Sequence, residues 1–202
     1  MTTQEESSFS TGVTEATRRM PTLRLIGDPD IRSETARLTA SAPEYFWRVP
    51  ASKSGFHHPK CTGVHGLWAH TLMLSTVIAR LGPTYVEQGR LTEEDVEHAH
   101  AAAILHDQRK NGPKDNPHDK SVTDHELMMA DVVHESDLPD DIALAVRCHM
   151  GAWYADTAPE TDLDDLVHTA DMVASTSTIT PGVQGPIPEE LQPIGLEEVD
   201  LR

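Results

Sequence analysis

The chain has 202 residues, enough for one domain with a substantial core, and carries a formal charge of −17 from 33 acidic and 16 basic residues. That charge excludes a broad basic face for duplex nucleic acid, so any nucleotide would have to be held locally by metal and a few cations. No run of about eighteen apolar residues offers a membrane-spanning helix, and two cysteines, Cys61 and Cys148, supply neither a disulfide framework nor a zinc-ribbon spacing.

In chain order, residues 1–28 are rich in Thr, Ser and Glu with little periodicity, and a flexible segment is expected there, ending at most in a short helix. A helical domain over 29–177 follows. Asp30 to Thr39 reads as a helix, and Tyr45-Phe46-Trp47 concentrates aromatics as a hydrophobic plug in preference to a pocket wall. Residues 51–66 read as a loop broken by Ser54, Gly55, Pro59 and Gly63, with His57, His58 and His65 in it; a loop here could reach a site on the next helix. Leu67, His70, Leu74, Val77 and Leu81 fall at three- and four-residue steps, predicting a helix from Gly66 to Leu81 that Gly82-Pro83 ends. Thr92 and Asp95 form a capping-box-like start to a second helix, with Val96, Ala99, Ala103 and His106 on one face and His98 and His100 off it, in solvent. A polar loop runs from Asn111 to Lys120. Helices are then expected over Thr123 to His134, after Pro139, and over Asp162 to Ser175, with His125, His149 and Asp171 on their apolar faces. The Pro/Glu-rich stretch 178–202 reads as a loose or draped tail.

The centre of the pattern is Ala103-Ile104-Leu105-His106-Asp107, an apolar helix running into an imidazole and a carboxylate. One histidine on an apolar face is ordinarily a satisfied core residue. Five helices that each carry a ligand-type residue inward are another matter: His70, His106 with Asp107, His125, His149 and Asp171. Burying all of these unpaired would cost several kcal/mol per group, so they must satisfy one another or share a cation. Mixed imidazole and carboxylate ligands suit Mn, Fe, Co, Ni or Zn, as one or two divalent ions.

Gly66-Leu67-Trp68-Ala69-His70-Thr71, Ala102 to Asp107 with Lys110, His125, His149-Met150-Gly151 and Thr169-Ala170-Asp171 together resemble the HD-domain metal-dependent phosphohydrolase superfamily. The Phe56-His57-His58-Pro59 and His149 to Trp153 stretches are similar to an archaeal and phage branch of it. The resemblance implies an all-α bundle of about five core helices around a metal centre. It implies His70, His106, Asp107 and Asp171 on a first metal, and His125 and His149 on a second with Asp107 bridging. Catalytic roles would fall to Asp107 and Lys110, and substrate contacts to His58, His65, Arg109 and Trp153. Gln108-Arg109 stands where the family usually has Ile-Gly, and His65 where it often has Gly. For Lys110 and Arg109 the plainer alternative is a solvated loop after a helix.

The implied activity is hydrolysis of a small phosphorylated substrate, a nucleotide, cyclic nucleotide or short oligonucleotide, by a metal-activated hydroxide. A di-iron oxygenase on the same ligands and a non-catalytic sensor module are the alternatives; the sensor's expected signature, a lost ligand, is missing here. The polar start, Met1 to Phe9, is unlike a secretory signal, so a cytoplasmic location is expected. The acidic surplus, eleven arginines against five lysines and abundant threonine fit either an ordinary acidic protein or a halophilic one kept hydrated by surface carboxylates.

Overall fold

A computed structural model describes residues 3–52, 57–151 and 158–201 of the chain. The architecture is all-α: α1 (Thr3–Arg19), α2 (Pro29–Ala40), α3 (Gly66–Glu87), α4 (Glu93–Leu105), α5 (His125–His134), α6 (Asp140–Cys148) and α7 (Asp162–Ser175). Among the described residues, no helix is long and apolar enough to cross a membrane.

α3 is the axis. Leu67, Trp68, Leu72, Met73, Leu74 and Ile78 are almost wholly buried, and the helix packs against α4 and α7. α6 closes the other side of α4 and α7, and α5 pairs with α6. Local signals set the frame. Thr92 and Thr161 each accept a backbone N–H three residues on, while Asp95 and Asp164 return the bond, so α4 and α7 both start in capping boxes.

α3 does not stop at Gly82-Pro83. It runs to Glu87, because Tyr85 and Val86 continue the apolar spacing and pack on the core. Pro83 forfeits one backbone bond. Gly82 before it has no Cβ to clash with the ring, and a Cβ there would meet Val96 Cγ1 at 2.7 Å, so glycine also lets α4 approach closely.

Two segments expected to be loose carry structure. Residues 3–19 are helical, a short 3-10 turn follows over Pro21–Leu25, and Ala16, Met20, Leu23 and Ile26 are buried. Their three- and four-residue steps are a helical signal hidden in a polar stretch. At the other end, Val183–Gln184 (β1) pairs in parallel with Glu198–Val199 (β2), and Leu191 is buried. The Gln184 amide donates to Thr76 Oγ1 at 2.8 Å, which fastens this segment to α3.

The aromatic segment is a plug. Phe46 is fully buried, and the Trp47 and Trp68 rings meet edge-on at 5.2 Å. Tyr45 adds a brace: its hydroxyl donates to Gly112 O at 2.7 Å, with Gln108 O 3.2 Å away. The turn that follows α4 is thus held from outside the bundle.

Candidate metal centre

Three of the four site histidines sit where a helix begins or ends. His106 caps the C-terminus of α4, His149 caps that of α6, and His125 opens α5. The last carbonyls of a helix have no intrahelical donor. His106 Nδ1 donates to Ala103 O at 2.7 Å and His149 Nδ1 to Val146 O at 2.6 Å, so both rings use those orphan carbonyls. His125 Nδ1 donates to Val122 O at 3.0 Å. A carbonyl can only accept, so each Nδ1 carries the hydrogen and each Nε2 presents a lone pair inward.

Those lone pairs converge. His70 arrives from the second turn of α3 and Asp171 from within α7, and their Nε2 and Oδ1 stand 2.9 Å apart. His106 Nε2 is 3.4 Å from Asp107 Oδ2; His125 Nε2 and His149 Nε2 lie 3.1 and 3.7 Å from Asp107 Oδ1. The rings form an edge-on series, His70 to His106 at 5.6 Å, His106 to His149 at 4.9 Å and His149 to His125 at 5.5 Å. None of the six residues is more than 5% exposed.

The contacts are close, yet Nε2 of all four histidines and Asp107 Oδ1 lack a well-directed hydrogen bond. Leaving so many buried polar atoms without partners would cost about 1–3 kcal/mol each. Atoms that bind a common ion at about 2.0–2.2 Å stand about 3 Å apart, and their lone pairs point at the ion instead of at each other. Three trios approach that arrangement, His70–His106–Asp107, His106–His149–Asp171 and Asp107–His125–His149, each with its ligand atoms within 4.8 Å of one another. The residues therefore fit one or two divalent cations. The two oxygens of Asp107 face different partners: Oδ1 looks at His125 and His149, Oδ2 at His106 and Lys110.

A family model of the HD domain matches residues 67–176, more than half of the chain. The chain belongs to the HD-domain family. No curated protein and no solved structure gives a significant match. The HD match spans α3 to α7, the helices that carry all six converging residues.

Charge is arranged to keep the carboxylates ionised. Burial pushes Asp107 upward, but Lys110 and His106 outweigh it and hold the carboxyl well below its ordinary value. Lys110 Nζ sits 2.5 Å from Asp107 Oδ2 and is itself buried, so it belongs to the HD centre and not to a solvated loop. Asp171 is also held low, against burial, by His70 and then His106.

Of the other residues expected at the site, His58 and His65 have partners of their own. His58 caps a short 3-10 turn by accepting the Lys60 amide, and its Nε2 meets Thr180 Oγ1 at 3.0 Å. His65, at φ 64°, bonds Trp47 O through Nδ1 at 2.5 Å. Both are occupied in fastening the loop before α3. Arg109 is half-buried, and burial lowers its pKa against the opposing pull of Tyr45 and Asp115. Gln108 turns into the core, donating to Thr39 Oγ1 and Ile104 O, which accounts for its place between the doublet and Lys110. Trp153 lies outside the described residues.

Four residues stand where the sequence pattern does not place them. His57, grouped with its loop neighbours, reaches the centre: its ring meets His70 edge-on at 4.9 Å. Glu126 is buried with Oε2 unbonded, 3.5 Å from His125 Nδ1; it lies one step off the apolar stripe, so periodicity gives no sign of it. His98 and His100 are buried instead of solvated. α4 is enclosed by α2, α3, α6 and α7, so its polar-looking face also has neighbours. His98 Nδ1 pairs with Asp141 Oδ2 at 2.8 Å, while its Nε2 is buried without a partner.

Proposed function

We propose that this HD domain is a metal-dependent phosphohydrolase acting on a nucleotide, cyclic nucleotide or short oligonucleotide. The observation that carries the reading is the set of inward-facing, unbonded Nε2 atoms around Asp107, with a buried ammonium on the same carboxylate. Bound divalent cations supply Lewis acidity, acidifying water and neutralising charge on phosphoryl oxygens.

The chain's own part is positional and electrostatic. His70, His106 and Asp171 would hold one ion, His125 and His149 a second, with Asp107 between them. The Nδ1–carbonyl bonds keep the rings from turning. Lys110 would place positive charge beside the phosphoryl group and stabilise charge that builds in the transition state. Enclosure strengthens each of these interactions, because little water competes. The net charge of −17 argues for a small substrate drawn to a local cation site, not for duplex nucleic acid.

The test is elemental analysis of purified protein together with a screen of mono-, di- and cyclic nucleotides in added Mn²⁺ and Ni²⁺. The expected result is bound transition metal and release of phosphate or opening of a phosphodiester. Bound iron with O₂ consumption and no phosphate release would overturn it in favour of the oxygenase alternative.

A further inference from the structure

Among the described residues, His57 is the one site-facing histidine with access to solvent. The six converging residues are at most 5% exposed, whereas His57 is half-buried and ends the ring series, edge-on to His70 at 4.9 Å. A substrate must approach from solvent, and this is the described side chain that spans solvent and centre. His57 is in none of the three ligand trios. It does not orient His70 by a hydrogen bond either, since Nδ1 of both rings is buried without a partner. A buried imidazole nitrogen with nothing to bond is costly, and His106, His125 and His149 resolve the same problem with a backbone carbonyl.

We propose that His57 is a substrate-binding residue, whose ring N–H donates to an oxygen of a phosphate group bound at the His70 end of the centre. The inference rests on the phosphohydrolase reading and deepens it by naming a contact. An N–H to phosphate-oxygen bond is charge-assisted and directional, and one such bond changes affinity by roughly tenfold or more. The unbonded nitrogen is then a group waiting for its partner.

The experiment is calorimetric titration of inorganic phosphate into Mn²⁺-loaded protein, with metal content and melting temperature measured on each sample. His57→Phe keeps a ring against His70 and removes the donor; His57→Gln keeps a donor on a flexible chain. The expected result is unchanged metal content, a roughly tenfold or larger loss of phosphate affinity in the Phe variant, and partial recovery in the Gln variant. Wild-type affinity in the Phe variant overturns the assignment while leaving the phosphohydrolase reading intact. Loss of metal in both folded variants also overturns it, since His57 would then serve the metal ions. Failure of the metal-loaded wild type to bind phosphate at all overturns both. If the Phe variant does not fold, the Gln variant alone decides, by the same comparison of metal content and affinity against wild type.

Discussion

Asp107 is the residue on which the centre turns, because its two oxygens face two different groups of ligands and its charge is held by Lys110. Replacing Asp107 with Ala, or His106 with Ala, is expected to abolish metal retention, read by elemental analysis after dialysis; wild-type metal content in the double variant would end the assignment. His125 touches only the Oδ1 side of Asp107. His125→Ala should therefore lower the content from about two ions per chain toward about one, with the fold kept. An unchanged ratio removes His125 from the ligand set. His100 makes a different prediction. It is buried with Nδ1 unbonded, and burial pushes it from an ordinary 6.5 down to about 4. The unfolded chain takes the proton near 6.5 and the folded chain resists it to about 4. Stability thus falls as pH drops through that window, by on the order of 3 kcal/mol, and levels off below it. His98, held up by its bond to Asp141, works in the opposite sense, so the measurement is a comparison. His100→Leu should lose less unfolding free energy than wild type between about pH 7 and about pH 4.5; equal losses would show that His100 is not the acid-sensitive group.

At the scale of elements, the start of α3 is the tightest joint. A Cβ on Gly66 would meet Cys61 O at 2.0 Å and its carbonyl carbon at 2.5 Å, and both are backbone atoms held by the Ala51 N to Cys61 O bond. Gly66→Ala must force the loop away from the helix that carries His70. A destabilisation of about 2–4 kcal/mol is expected by denaturant titration, in the range of large single-site effects; a loss under about 1 kcal/mol would mean the loop yields freely. Gly151 is a second such point: at φ 55°, with His168 stacked against it, it lets the chain leave α6 just after His149. Helices α4 and α7 announce themselves through Thr92/Asp95 and Thr161/Asp164, and the six candidate ligands fall on apolar stripes that period 3.6 exposes. The misses share a cause. Pro83 breaks a helix only where nothing else supports it, and Tyr85 and Val86 do. His100 looks solvated on a helical wheel, because a wheel shows one buried face and α4 has neighbours all round. His57 and His58 are adjacent in one loop, and nothing in periodicity says which turns inward; that is decided by Thr180 and Lys60, which take His58.

For the whole molecule, metal and charge act together on stability. The unbonded Nε2 atoms make the metal-free bundle the strained form, so chelation should destabilise it. Ions present at about a thousand times their dissociation constant stabilise by about 4 kcal/mol, which for a domain of this length shifts the melting temperature by about 10 °C. Addition of EDTA and then excess Mn²⁺ should lower and restore it, and a melting temperature indifferent to metal loss would mean the histidines satisfy one another. Salt probes the other term. An excess of 17 negative charges repels itself, and the exposed pairs that oppose this, such as Arg18 with Glu15, Arg90 with Asp162 and Arg48 with Glu44, are screened by solvent and each contribute little. Raising KCl from about 0.1 to about 1 M shortens the screening length from about 10 to about 3 Å. It weakens both terms, but the repulsion is summed over the whole surface while the pairs are few and local. The melting temperature of the metal-loaded protein should therefore climb with KCl, a salt chosen because sulfate would strengthen apolar burial independently. A flat or falling curve would mean that the local pairs outweigh the acidic surplus, and that the surplus is no adaptation to high salt.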